Sequence, residues 1–107
     1  MSEYETHEYD VIVIGAGGAG LRAAIEAARS GAKTAIICKS LLGKAHTVMA
    51  EGGAAAALGN ADDRDGWKVH FKDTMKGGKY LNNWRMAQIH AQESADRIRE
   101  LEQWGAV

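Results

Sequence analysis

Proline is missing from the sequence altogether, cysteine occurs once, and neither sign of charge prevails. The lone thiol of Cys38 cannot close an internal disulfide, which fits a reducing compartment. A net charge of −1 argues against nucleic acid as a partner, because such binders need a basic stripe. No apolar run approaches the ~18 residues that would span a bilayer. The β-branched run Val11–Ile14 is cut off at once by glycine. Residues 1–10 are acidic and polar, with neither the basic nor the apolar region of a secretory leader, so the chain is expected to stay in the cytoplasm. Residues 1–8 are expected to form a flexible tail.

At 107 residues, 46% of them hydrophobic and 25% charged, the chain has the composition of one small globular domain. Of its 13 glycines, eight gather at 15–20, 52–53 and 77–78. Ordering glycine is entropically costly, so such clusters point to a use, such as close approach of backbone to a ligand.

Residues 9–14, YDVIVI, form an almost continuous β-branched run, the pattern of a strand buried on both faces of a parallel sheet. The run ends in GAGGAG. A helix is expected from there to about Ser30, with Leu21, Ala24, Ile25 and Ala28 on its apolar face. Arg22, Glu26 and Arg29 lie opposite, and Gly31 is placed to end it. Residues 33–38, KTAIIC, read as a second buried strand. Strand, helix and strand within about thirty residues make one βαβ unit. Its right-handed crossover sets the strands parallel and adjacent. The expected fold class is α/β, the N-terminal part of a Rossmann-like domain.

Residues 41–60 have no clean period and are read as a loop followed by a short small-residue helix within 53–58. Residues 62–66 form a polar turn with an N-cap available. Trp67, His70, Phe71, Thr74 and Met75 then recur at helical spacing, and Gly77-Gly78 ends that helix. Asn82 or Asn83 is placed to cap another, running through Trp84, Ala87, His90 and Ala91. Ser94 is placed to start a last one, with Ile98, Leu101 and Trp104 inward. His70 and His90 read as packing residues, and Trp67, Trp84 and Trp104 as core or docking anchors. No Cys/His spacing suggests a metal site. Two parallel strands cannot bury themselves, and several helical faces lack a partner. The sequence is therefore expected to be the front portion of a longer polypeptide.

Gly15, Gly17 and Gly20 fit G-x-G-x-x-G directly after a strand and opening a helix. In that setting Gly15 permits the tight turn, Gly17 lets backbone approach a pyrophosphate, and Gly20 allows close packing of helix on strand. The helix N-terminus then holds the anion. A dinucleotide fold of the NAD type brings an acidic residue to the ribose ~20 residues further on. Here the second strand ends Cys38-Lys39-Ser40 instead. Two options remain at this point: NADP, with Lys39 near a 2′-phosphate, or a flavoprotein that holds its adenosine differently.

The next segment is Lys44-Ala45-His46-Thr47-Val48-Met49-Ala50-Glu51-Gly52-Gly53. With the glycine loop and Lys39 it resembles the flavoprotein subunit of succinate dehydrogenase and fumarate reductase. That family carries GAGGAG, a lysine at the end of the second strand and S-H-T-V-x-A-[EQ]-G-G in this order. The resemblance continues through Asp73-Thr74-Met75-Lys76-Gly77-Gly78 and Leu101-Glu102-Gln103-Trp104-Gly105, and covers nearly the whole chain from Tyr9. Ala45 stands where the family usually has serine, and Gly43-Lys44 where a Pro-x-Arg pattern is common.

The resemblance implies FAD as cofactor. The family's flavinylated histidine falls on His46, with a ring nitrogen bonded to the 8α carbon of the isoalloxazine. A neutral imidazole is a competent nucleophile near pH 7. Cofactor contacts are implied at Gly15, Ala16, Gly17, Gly18, Ala19 and Gly20, and at Cys38, Lys39 and Ser40. Further contacts are implied at Lys44, Ala45, Thr47, Met49, Ala50 and Glu51, with Gly52 and Gly53 bringing backbone N–H groups to the flavin edge. Also implied are a dicarboxylate substrate, succinate or fumarate, and electron flow first to an iron–sulfur subunit, then to quinone through membrane anchor subunits. The location implied is peripheral, on the cytoplasmic side of a bacterial membrane. The family's substrate-binding and proton-donating residues lie beyond position 107, so no catalytic residue is assigned and the segment alone is expected not to turn over succinate. Two other readings stand beside this one. The first is a relative with non-covalent FAD, such as an L-aspartate oxidase, which shares the glycine loop but not His46. The second is an inactive truncated chain that binds nucleotide weakly or packs against a partner.

Overall fold

A computed structural model describes residues 3–107, so the first two positions of the expected tail, Met1 and Ser2, lie outside the described residues. The chain divides into a first unit ending at Gly52 and a second running Gly53–Val107.

In the first unit, β1 (Val11–Ile14), α1 (Gly18–Arg29) and β2 (Thr34–Ile37) follow one another, and the strands pair in parallel as expected. Val11 lies opposite Thr34 and Ile14 opposite Ile37. Side chain and backbone pin this register together. The Asp10 carboxylate accepts the Lys33 N–H at 2.7 Å, while the Asp10 N–H donates to the Lys33 carbonyl at 2.8 Å. At the other end the Gly15 N–H donates to the Ile37 carbonyl at 2.8 Å. Helix α1 packs on both strands through Ala24, which is buried, with Leu21 and Ala27 half-buried beside it. Ala28, expected inward, is exposed. On the outer side Arg22 and Glu26 pair at 2.8 Å, one turn apart, which supports the helix by a few tenths of a kcal/mol.

The strands are not buried on both faces as their sequence suggests. Ile12 and Ile37 are each 53% exposed and Ile14 is 85% exposed. Side chains alternate across a sheet, and α1 supplies a layer for one face only, so the alternate residues stay uncovered.

In the second unit residues 53–58 form no helix, contrary to expectation. Six residues between glycines offer too few hydrogen bonds to offset the cost of nucleating one, however helix-prone alanine is. In the following turn the Arg64 guanidinium bonds both carboxylate oxygens of Asp62, at 2.7 and 2.9 Å. That fork holds the Asp62 carboxyl below the usual aspartate range and pushes Arg64 up. Asp65 accepts the Gly66 N–H. Both aspartates are thus spent within the turn, and α2 (Trp67–Gly77) starts at Gly66 without the side-chain cap expected of this stretch.

Helix α2 turns the predicted face inward: Trp67, His70, Phe71, Thr74 and Met75 are all half-buried. It ends at the glycine pair, where the Thr74 carbonyl accepts both the Gly78 N–H at 3.0 Å and the Asn82 amide at 2.9 Å. Asn83 then caps α3 (Trp84–Gln103), accepting the Met86 N–H at 3.1 Å. The two helices expected between residues 83 and 104 are one. Ser94 caps nothing; it is buried in mid-helix with its hydroxyl turned to the Ala91 carbonyl of its own helix. Helices α2 and α3 pack together over Ala87, Ala91 and Ser94. The His70 and His90 rings meet edge to face with centroids 5.3 Å apart, a packing contact as expected. Helix α3 has 20 residues against 11 in α2. Leu101 and Trp104, expected inward, are 47% and 41% exposed, and Trp84 and His90 are exposed as well.

Candidate functional site

Because β1 and β2 run the same way, the loops leaving their carboxyl ends emerge on one side of the sheet. Gly15 turns the chain out of β1 with φ at +108°, a conformation that side chains with a Cβ disfavour. Gly20 sits one turn into α1 against that bend. A Cβ there would run into the Gly15 carbonyl and lie 3.5 Å from Val13 Cγ1. The motif glycine is therefore required by packing of helix on strand, as its spacing suggests.

Beyond β2 the chain returns across the glycine loop. His46–Met49 forms a single 3₁₀ turn that the periodicity does not announce. Its Thr47 hydroxyl accepts the Gly18 N–H at 3.0 Å. Gly15, Ala16 and Gly17, then Cys38 to Leu41, then Lys44 to Thr47 line one cleft of about 380 Å³. The Cys38 thiol donates to the Ser40 carbonyl at 2.9 Å, tightening the exit from β2. Two ammonium groups, Lys39 and Lys44, stand in the lining and no carboxylate does. Together with the N-terminal end of α1, whose dipole is positive there, they make a cleft suited to a phosphate-bearing ligand.

Ten of the residues singled out from sequence are thus gathered in one place: Gly15, Ala16, Gly17, Cys38, Lys39, Ser40, Lys44, Ala45, His46 and Thr47. Gly18, Ala19 and Gly20 lie in the first turn of α1 and are not part of the lining. Met49, Ala50, Glu51 and Gly52 do not line the cleft, and Gly53 opens the second unit. No atom lies within 4 Å of where a Cβ would stand at Gly52 or Gly53, so packing does not account for that pair. Leu41 is a lining residue that sequence reasoning passed over; its only signal is an exposed apolar pair, Leu41-Leu42, in a polar loop. Among the described residues no cluster of three His, Cys, Asp or Glu side chains could hold a metal, and no helix is long and apolar enough to cross a membrane.

A parallel βαβ unit with its glycine turn, and a basic cleft at the strand ends, defines a nucleotide-cofactor-binding protein. Residues 10–107 match the FAD binding domain family, and the chain belongs to it. Among curated relatives, a fumarate reductase (CoM/CoB) polypeptide of Methanothermobacter marburgensis is 46% identical over 98% of this chain and 19% of its own length. The succinate dehydrogenase flavoprotein subunit of Rickettsia bellii is 48% identical over 92% of this chain and 16% of its own. The solved Mycobacterium smegmatis Sdh1 complex, in the apo form and with UQ1, superimposes with a TM-score of 0.89 at 66% identity. That match covers 94% of this chain and 17% of the solved one. The chain therefore spans less than a fifth of the length of these relatives.

Proposed function

We propose that this chain is the N-terminal, Rossmann-like FAD-binding segment of a flavoprotein of the succinate dehydrogenase and fumarate reductase type. The observation that carries the reading is the single cleft in which the glycine loop, Lys39 and His46 meet. Identity of 43–48% to polypeptides of such enzymes supports it. In the proposed assignment the backbone at Gly15 to Gly17 and the start of α1 receive the pyrophosphate. Lys39 and Lys44 offset its charge, and His46 offers a ring nitrogen as the point of covalent attachment at the flavin 8α carbon. Met49 to Gly53 complete the contacts toward the isoalloxazine. Bound FAD supplies the two-electron acceptor, and the protein orients it and tunes its potential.

The parent protein would interconvert succinate and fumarate. It would exchange electrons with quinone through an iron–sulfur subunit plus membrane anchors, lying peripherally on the cytoplasmic face of a bacterial membrane. The test is to denature the natural full-length protein, run it on a gel and look for flavin fluorescence at the protein band. The wild type is expected to retain it, and His46→Ala to lose it while still releasing dissociable FAD. A wild-type band without fluorescence, from protein that had carried FAD, would remove the covalent assignment and favour a relative with dissociable cofactor.

A further inference from the structure

We propose that Thr47 is a positioning residue for His46, acting through its bond to the Gly18 N–H; the inference rests on the attachment at His46 proposed above. A helix begins with N–H groups that its own backbone cannot satisfy, and an N-cap side chain ordinarily takes one of them. The N-cap of α1 is Gly17, which has no side chain to offer, and no local residue makes a side-chain cap bond. The Gly18 N–H is met instead by the Thr47 hydroxyl, from 29 residues further along the chain, at 3.0 Å.

The berth for that side chain is shaped by the glycine loop. A Cβ on Gly18 would stand 3.3 Å from Thr47 Cγ2, tighter than ordinary contact, and one on Gly17 would stand 3.5 Å from Thr47 Oγ1. Gly18 therefore leaves room for the returning loop, while a methyl at Gly17 would make only ordinary contact with it. Without this bond the turn has little to hold it. None of its residues is buried, and its own backbone bonds, Val48 N–H to Ala45 and Ala50 N–H to Thr47, are long at 3.2 and 3.3 Å. The anchor lies one residue from the nucleophile. In the attachment step the 8-methyl carbon and the imidazole nitrogen each lose a hydrogen as the C–N bond forms, and the two electrons reduce the flavin ring, which dissolved dioxygen then reoxidises. Formation of the C–N bond is sensitive to placement, with an error of about 1 Å costing on the order of 100-fold in rate.

The experiment uses the natural full-length protein, produced without flavin and then supplied with FAD in aerated buffer. Total bound FAD is measured together with the rate at which flavin becomes resistant to denaturation. With Thr47→Val, compared with wild type at FAD concentrations that saturate each protein, attachment per bound FAD is expected to slow roughly tenfold or more. Thr47→Ser, which keeps the acceptor oxygen, is expected to restore the rate. Gly18→Ala offers an independent route, since its methyl would press on Thr47 Cγ2 and push it by a few tenths of an ångström while alanine favours the helix; slowed attachment, by less than in Thr47→Val, is expected there too. Attachment at the wild-type rate in Thr47→Val, or in Gly18→Ala if Thr47→Val does not fold, overturns the inference and leaves His46 flavinylation intact. Thr47→Ser as slow as Thr47→Val overturns it as well, as does loss of FAD binding in both. A wild type that never attaches flavin defeats the underlying assignment, and this inference with it.

Discussion

Gly20 shows how much one missing side chain can decide. Alanine there would gain up to about 1 kcal/mol in helix propensity, yet its methyl would press on the Gly15 carbonyl, a backbone atom that cannot swing aside. Overpacking of this kind costs about 1–3 kcal/mol, so the steric loss outweighs the gain. Gly20→Ala should lower the midpoint of urea unfolding, and an unchanged or raised midpoint would show that the close approach is not a constraint. This requirement is legible in the sequence, because the third glycine of the motif sits at fixed distance from the first along a known turn. The Thr47 bond to Gly18 is not legible. Nothing in local spacing encodes a contact made 29 residues away, and Thr47 draws notice only through its neighbour His46. Leu41 escapes notice for a similar reason, since its place in the cleft depends on how the loop after β2 folds back.

At the scale of elements, patterns that rest on strong local chemistry are readable. The β-branched runs, the glycine turn and the i, i+3, i+4 face of α2 place β1, β2, α1 and α2 within a residue or two. The failures come where a residue type serves two purposes. Ser94 has the chemistry of a cap, but burial against α2 and a bond to its own helix make it an interior residue. The alanines of 53–58 favour helix residue by residue, yet the segment is too short for that preference to act. Burial of the strand faces is likewise overstated by the sequence, since a periodicity reports what a surface prefers and not whether a covering layer is there. The true start of α3 is Asn83, whose side chain holds the Met86 N–H. Asn83→Ala should therefore destabilise the second unit by about 1 kcal/mol, read by the loss of helical circular dichroism at lower denaturant. A change within a few tenths would mean that solvent caps this exposed end equally well.

The molecule as a whole buries little. Among the described residues the buried apolar side chains are alanines, at 16, 24, 87 and 91, and no large side chain is fully enclosed. Burying a methyl group contributes roughly 0.8 kcal/mol, far less than the large side chains on which cooperative folding ordinarily depends. The 107 residues in isolation are therefore expected to bind the dye ANS strongly and to melt over a broad range. A sharp, two-state transition without dye binding would contradict that expectation. The parallel strands nonetheless give this loosely buried chain one well-defined mouth, and its sole sulfhydryl, Cys38, opens onto it. A maleimide dye would thus have a single point of coupling, sited where the arrival of a nucleotide alters the surroundings, and the sequence carries its own address for a reporter.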